Sequence, residues 1–163
     1  MKRSLGFTLV ELVVVISILA VLTTAGLASF VSYSRTQSLQ TTASDLITTL
    51  NLAKSRSSSQ VKPDSSISPD MQNPCAIQPL NGYRVLISTP TNSYEMDAIC
   101  AENIYKIINV TFPTNISVSQ NGTTSTSFLF PVISGGVVGS GSVVLTGYGL
   151  TRTITVDSIG TVK

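Results

Sequence analysis

The acidic side chains are the first candidates for chemistry in this chain of 163 residues, which has no histidine and two cysteines. Without histidine the chain lacks the commonest general base and the commonest metal ligand, so its many serines have no partner that would activate them. Glu95 and Asp97 stand two positions apart in a strand-like segment, which puts their side chains on one face of a strand. A solvent-exposed acidic face is the simpler interpretation of that pair, and a cation site is the alternative. Asp64 and Asp70 lie among prolines, where solvated loop carboxylates are expected, so the sequence predicts no catalytic residue, no metal site and no cofactor.

A further carboxylate, Glu11, interrupts an apolar run of 24 residues that spans residues 7–30. A run of this length can cross a bilayer core of about 30 Å. Lys2 and Arg3 precede the run and the next basic residue is Arg35, so the positive-inside rule predicts a cytoplasmic N-terminus with the rest of the chain outside. A secretory signal is one alternative, but its apolar core is shorter than this run. A plain anchor helix is another, and it does not explain Glu11 unless the carboxylate reaches the lipid headgroups. From the residues alone, a functional Glu11 and a Glu11 that reaches the headgroups both stay open.

Residues 6–11 read GFTLVE after the basic leader MKRSL, and they resemble the processing site of type IV pilins and of type II secretion pseudopilins. The resemblance implies that a prepilin peptidase at the cytoplasmic face cuts after Gly6 and methylates the new N-terminal residue, Phe7. It also implies that the Glu11 carboxylate neutralises the N-terminal amine of a neighbouring subunit in a filament. Such a pairing is physically reasonable, because an unpaired amine or carboxylate in a low-dielectric core costs several kcal/mol. On this interpretation residues 7–30 first anchor the protein in the inner membrane and later form filament core.

The elements that must position these residues follow from the hydrophobic pattern. No proline occurs between Phe7 and Lys62, and apolar residues at helical spacing continue beyond residue 30, so we predict one helix from about Thr8 to about Ser58. Residues 7–30 of this helix are apolar on all sides, whereas residues 31–58 are amphipathic and are expected to pack one face on a globular domain. The apolar positions of the second half are Leu39, Ala43, Leu46, Ile47, Leu50 and Ala53.

Residues 59–163 are predicted to form a β-rich head. Residues 59–81 hold four prolines among polar residues and are predicted to be a loop. Beyond them, β-prone segments alternate with turn residues, which predicts an antiparallel sheet with hairpin turns at residues 91–93, 120–123 and 147–149. The glycine-rich segment 133–142 lacks the lysine of a phosphate loop and is predicted to be a flexible strand connection. The predicted strands are Tyr83–Ser88, Ser93–Ile99, Lys106–Phe112, Ile116–Ser119, Ser127–Phe130, Ser142–Leu145 and Thr151–Asp157.

The predicted fold class is therefore α+β, a long N-terminal helix packed on an antiparallel β-sheet, and this is also the arrangement of the pilin family. The helix end ASDLITTLNLAKSRSSSQ and the terminal LTRTITVDSIGTV are similar to those of minor, H-type pseudopilins and related minor pilins. Arg56 and Gly160 carry that similarity, while Thr161 stands where those proteins often have arginine. The predicted organisation is a leader peptide (1–6), a membrane and filament-core segment (7–30), an amphipathic half-helix (31–58) and the head (59–163).

Cys75 and Cys100 are predicted to form a disulfide, because the head is predicted to lie outside the cytoplasm, where disulfides persist. Closing a loop of about 25 residues stabilises the fold by roughly 3 kcal/mol in the chain-entropy model. The alternative is a pair of buried free thiols.

Composition and charge narrow the function classes further. Charged residues make up 11% of the chain, and the side chains from Phe7 onward sum to zero, so there is no electrostatic footprint for nucleic acid. Arg152 and Lys163 form the only plausible focus for DNA. We therefore predict a structural subunit of a type IV pilus or type II secretion pseudopilus rather than an enzyme, with other subunits, the prepilin peptidase and the membrane as partners and a periplasmic or extracellular filament as its destination. The alternative is a minor pilin that acts as a binding module at the filament tip, in adhesion or DNA uptake.

Overall fold

The computed structural model describes residues 8–63, 74–120 and 125–163, which form a long helix, a short helix and seven strands in two antiparallel sheets. The predicted α+β class is confirmed. The chain divides into two compact units between Gln37 and Ser38. The elements are α1 (Leu9–Ser58), α2 (Pro74–Ile77), β1 (Leu80–Ser88), β2 (Ser93–Cys100), β3 (Asn103–Thr111), β4 (Ile116–Gln120), β5 (Ser125–Pro131), β6 (Gly141–Gly147) and β7 (Leu150–Val156).

The first unit contains the N-terminal part of α1. Its large apolar side chains between Leu9 and Val31 are exposed, with 44–78% of their surface accessible. This segment therefore presents an apolar surface that the described residues of its unit leave exposed. Among the described residues, no helix combines the length and the hydropathy that crossing a membrane requires.

Within the second unit, residues 38–58 of α1 pack into the core of the head. Five of the six predicted apolar helix positions are buried and the sixth, Ile47, is partly buried against the same core. Polar contacts fasten the end of the helix to the strands: the Ser57 hydroxyl donates to the Phe130 carbonyl at 2.6 Å, and the Tyr83 hydroxyl donates to the Val61 carbonyl at 2.5 Å. Burial raises the pKa of Tyr83, and the nearby Arg56 opposes that shift.

The four-stranded sheet has the order β3-β2-β1-β5, with every neighbouring pair antiparallel. Strand alternation sends Tyr83, Val85 and Ile87 into the core and leaves Arg84 and Leu86 on the opposite face. A second, three-stranded sheet has the order β4-β6-β7. Its inner face closes the same core with Ile116, Val118, Val143, Leu145, Ile154 and Val156, all buried.

The expectation of one antiparallel sheet is wrong, and so is the hairpin predicted at residues 120–123. Strand β4 pairs with β6, whereas β5 pairs with β1, so these consecutive strands belong to different sheets. Periodicity identifies a strand but not its partner, and β1 has a second edge that β5 occupies. Gly82 helps to form that edge, because a Cβ at this position would collide with the Phe130 carbonyl oxygen. Residues 121–123 of the predicted turn lie outside the described residues.

Two further expectations need correction. The predicted loop 59–81 contains α2, and β1 begins at Leu80, inside the predicted loop. The glycine-rich segment connects two strands as predicted, but it is also held: the backbones of Leu129 and Val138 exchange hydrogen bonds of 2.9 and 2.8 Å. Gly139 permits this approach, because its φ of 96° and its position against the Ser127 carbonyl exclude a side chain.

The turns predicted at residues 91–93 and 147–149 are confirmed as hairpin connections. Asn92 in the first of them also joins the two sheets. Its side-chain amide donates to the Ile116 carbonyl at 2.8 Å and accepts from the Val118 N–H at 3.1 Å, so it pairs with the edge of β4 as a strand residue would. The residue has φ of 45°, a conformation that asparagine tolerates better than most residues.

Candidate functional site

The N-terminus of α1 is capped by the side chain of Thr8. The Thr8 hydroxyl oxygen accepts a hydrogen bond from the Glu11 N–H at 3.3 Å, and the Thr8 carbonyl accepts one from the Leu12 N–H at 3.2 Å. Sequence reasoning missed this cap, although threonine followed three residues later by glutamate ahead of an apolar run is the signature of a capping box. The cap fixes where the helix begins and therefore where Glu11 stands.

Glu11 lies in the first turn of the helix and is exposed. Its carboxylate has no hydrogen-bond or ion-pair partner among the described residues. A negative charge is favourable near a helix N-terminus, where the backbone N–H groups are partly unsatisfied. The carboxylate is thus oriented by the chain's own helix and is free to accept a cationic group from another molecule.

The surface around Glu11 is apolar, and its few hydroxyl groups bond within the helix. The Ser17 hydroxyl lies 2.9 Å from the carbonyls of both Val13 and Val14, and the Thr23 hydroxyl donates to the Leu19 carbonyl at 2.6 Å. Burying this segment in lipid or protein would therefore leave neither of these hydroxyls unsatisfied. Glu11 differs from them, because its charge has no such internal partner.

Gly6 and Phe7, the predicted cleavage site, lie outside the described residues. The described chain begins at Thr8, one residue after the predicted new N-terminus. The cleavage site and the role of Glu11 in assembly therefore stay predictions.

The predicted disulfide is confirmed. Cys75 in α2 and Cys100 at the end of β2 are joined, with their Cα atoms 5.5 Å apart and a sequence separation of 25. Both residues are buried, so the bond fastens the segment before β1 to the core and is shielded from reductants.

Glu95 and Asp97 share a face of β2 as predicted, but the expected solvent-exposed acidic pair is wrong for Asp97, which is only 1% exposed. Cross-strand neighbours explain the burial: Arg84 on β1 and Lys106 on β3 both stand opposite Asp97. These four residues, Arg84, Glu95, Asp97 and Lys106, form what we term the charged face. Register decides this pairing, and register could not be read from the sequence.

The charged face consists of two ion pairs and has one unsatisfied atom. Arg84 donates to Asp97 Oδ2 from Nε at 3.1 Å and from Nη2 at 2.5 Å, and Lys106 pairs with Glu95. Asp97 Oδ1 is buried without a hydrogen-bond partner. Burial raises the pKa of Asp97, and the Arg84 guanidinium opposes that shift without cancelling it. Each acid already has a basic neighbour, and no group of three or more potential metal ligands occurs in the described part of the chain.

The other predicted sites are not brought together. Asp64 and Asp70 lie outside the described residues. Arg152 stands opposite Leu145 on β6, whereas Lys163 exchanges backbone hydrogen bonds with Thr155, so alternation sends their side chains to opposite faces. The two basic residues proposed as a DNA focus therefore do not share a surface.

Comparison with known proteins adds a family signature at the same end of the chain as Thr8 and Glu11. Residues 1–27 match the family model for the prokaryotic N-terminal methylation motif. No curated protein and no solved structure shows significant similarity to the chain. The matched segment ends before the helix end and the C-terminal strand on which the H-type resemblance rests. The motif supports a precursor that a prepilin peptidase processes, and the chain carries the N-terminal signature of the type IV pilin and pseudopilin family.

Proposed function

We propose that this protein is a structural subunit of a type IV pilus or a type II secretion pseudopilus, cleaved after Gly6 and assembled through the N-terminal part of α1. The observation that carries the proposal is the methylation motif at residues 1–27. The motif coincides with the exposed apolar segment at the start of α1, whose one carboxylate, Glu11, has no partner among the described residues. A structural subunit needs such a surface for contacts with other copies and needs no catalytic residues.

The physical role proposed for Glu11 is charge neutralisation between subunits. Cleavage after Gly6 would create a positively charged amine on Phe7 at the start of an apolar helix. When such helices pack together, that amine and the Glu11 carboxylate would each lose water, at a cost of several kcal/mol if left unpaired. Pairing the Phe7 amine of one copy with Glu11 of its neighbour removes both costs and fixes the stagger between the two helices.

The proposed topology before assembly is a single pass through the inner membrane. Lys2 and Arg3 on one side of the apolar run, with no further basic residue before Arg35, favour a cytoplasmic N-terminus. The head would then lie outside the cytoplasm, which agrees with the Cys75–Cys100 disulfide, because disulfides persist in oxidising compartments. Assembly would move the apolar helix from lipid into the core of a filament.

Processing is tested by co-expressing the full chain with a prepilin peptidase and measuring the intact mass and the N-terminal peptide. The expected product begins at a methylated Phe7. Gly6→Val is the matched control, because a β-branched side chain at the cleavage position should block the reaction and leave Met1 in place. A wild-type chain that keeps Met1 while an established prepilin is cut in the same cells would contradict the proposal.

Assembly is tested with two variants that separate the two possible roles of Glu11. Glu11→Gln keeps a side chain that suits the third helical position of a capping box but removes the charge. Thr8→Ala removes the cap observed at 3.3 Å and leaves the Glu11 charge intact. We expect processed Glu11→Gln protein to remain in the membrane and be absent from sheared filaments, whereas Thr8→Ala still assembles. Normal filaments from Glu11→Gln would show that assembly does not need the Glu11 charge. Loss of filaments from Thr8→Ala alone would show that assembly depends on the helix cap and not on that charge.

A further inference from the structure

The outer face of the three-stranded sheet is built almost entirely of hydroxyl side chains. Strand alternation places Ser117 and Ser119 of β4 on this face, because Ile116 and Val118 point into the core. Pairing in register then arranges the outward residues in rows across the three strands. The rows are Ser117–Thr146–Thr151, Ser119–Val144–Thr153 and Ser142–Thr155, and these eight residues form what we term the hydroxyl face.

Most of the hydroxyl face is exposed, and most of its hydroxyl groups have no partner among the described residues. The five residues on β4 and β7 are exposed, and the three on β6 are half-buried between them. Ser117 makes a long contact of 3.4 Å to the Thr146 carbonyl, and the other six hydroxyls have no hydrogen-bond partner among the described residues. Each such hydroxyl offers one donor and two acceptor positions. The face is thus a two-dimensional array that can both give and accept hydrogen bonds.

The face also carries no charge. None of its eight residues is ionisable, and Lys163 lies at its rim, where its backbone pairs with that of Thr155. This is unusual for an exposed sheet face, because charged residues are the normal protection against unwanted association. The neutral surface excludes recognition of phosphate groups or acidic polymers, which need clustered basic residues.

We propose that the hydroxyl face binds the flat surface of a neutral polysaccharide. A partner of this chemistry presents hydroxyl groups that both donate and accept, carries no charge to leave unpaired, and shows apolar C–H groups that Val144 at the centre of the face can contact. Strand geometry spaces the hydroxyls about 6.8 Å apart along each strand and about 4.8 Å apart between strands, so an extended surface can meet several at once. Each hydrogen bond to a neutral partner contributes little, so the contact is weak for a single copy.

Repetition along a filament would strengthen such a weak contact, and this step alone rests on the proposed function. Copies held in one assembly bind a polymer surface with a high effective concentration, so affinities of separate sites combine. The intrinsic binding of one copy does not depend on processing or assembly. A test on the unassembled chain therefore fails or succeeds separately from the pilin proposal.

The test uses the full chain in detergent micelles and measures retention on microcrystalline cellulose, with alginate beads as the anionic comparison. We expect retention on cellulose that persists at about 1 M salt, because the contact involves no ion pairs. Thr153→Lys places a charge within the face and should weaken retention about tenfold or more, since binding would desolvate that charge. Thr111→Lys is the matched control, an exposed strand threonine on the other sheet, and should be retained like the wild type.

A second variant tests the hydroxyl groups without adding charge. Thr151→Val, Thr153→Val and Thr155→Val together keep a β-branched shape that strands accept and remove three donors. We expect this triple variant to lose cellulose retention by about tenfold. The proposal is overturned if wild-type chain is not retained, if Thr153→Lys and the triple variant both bind as well as wild type, or if retention occurs only on alginate. It is also overturned if the face instead drives self-association, seen as a concentration-dependent dimer that the triple variant abolishes.

Discussion

The outer faces of the two sheets are both produced by strand alternation over one shared core, yet they differ in charge and in how their polar groups are paired. The charged face of the four-stranded sheet pairs Arg84 with Asp97 and Lys106 with Glu95 across neighbouring strands. The hydroxyl face of the three-stranded sheet has no charge, and six of its seven hydroxyls have no partner in the described chain. The charged residues of the first face pair with one another, so substituting them should lower the free energy of unfolding. The hydroxyl groups of the second face can bond to solvent or to a ligand, so substituting them should change the free energy of unfolding little.

The largest effect is expected from breaking the buried ion pair on the charged face. Arg84→Met keeps an unbranched side chain over the sheet but removes the only guanidinium that donates hydrogen bonds to the buried Asp97 carboxylate among the described residues. Removing one partner of a buried pair is strongly destabilising, and we expect a loss of about 3 kcal/mol in the free energy of unfolding. Urea unfolding of the full chain in detergent micelles measures it. Lys106→Met is the control, because that pair is exposed and screened by solvent, so its loss should cost much less than the loss of Arg84. Equal, small losses in both variants would remove the proposed difference between buried and exposed pairs.

The next effect concerns Asn92, whose side-chain hydrogen bonds link the two sheets. Asn92→Ala removes both side-chain hydrogen bonds to β4 and places alanine at a φ of 45°. Two lost hydrogen bonds and the unfavourable backbone conformation together should cost about 2 kcal/mol. Asn92→Gly removes the same bonds without the backbone strain and should cost less. In a hydrogen-exchange experiment, the amides of β4 should lose protection first. A uniform loss of protection across both sheets would mean that the effect of Asn92 is not limited to β4.

Much of the fold could be predicted because it depends on local patterns. The helix end at Ser58, the buried helix positions and the approximate locations of all seven strands follow from periodicity. The pairing of β5 with β1 and the split into two sheets could not be predicted, because they depend on long-range edges that periodicity does not encode. The same limit explains the wrong prediction for Asp97. Its burial is set by Arg84 and Lys106, which stand opposite it only once the register is fixed.

In the N-terminal segment, by contrast, the features that matter for function are adjacent in the sequence. A short motif predicts its leader, its cleavage after Gly6 and the role of Glu11, and the family match covers the same residues. The Thr8 cap can also be predicted from adjacent residues, because Thr8 and Glu11 have the spacing of a capping box. A motif of a few adjacent residues can be read directly, whereas the charged face and the hydroxyl face exist only after distant strands have paired.

A smaller effect, dependent on pH, should come from Asp97 itself. Burial raises the pKa of Asp97 above its ordinary value of 3.8, so the folded protein holds this proton more tightly than the unfolded chain does. Stability contributed by the neutral form is therefore fully present below the ordinary value and is lost as the pH rises through the raised pKa. Asp97→Asn cannot ionise, so the stability of wild type relative to this variant should fall as the pH rises across that window. Urea unfolding of both proteins at a series of pH values measures the trend, and a rise instead of a fall would mean that Arg84 outweighs burial.

The smallest effect is expected on the hydroxyl face, and it is the sharpest test of the comparison. Thr153 is exposed on β7, and its hydroxyl has no partner among the described residues. Thr153→Val removes the hydroxyl while keeping the branched shape that suits a strand, so the free energy of unfolding should change by less than about 0.5 kcal/mol. Urea unfolding under the conditions used for Arg84→Met makes the two values directly comparable. If Thr153→Val cost as much as Arg84→Met, the hydroxyl would be structural. A stability near wild type combined with weaker binding to cellulose in the triple valine variant would instead assign the charged face to folding and the hydroxyl face to recognition.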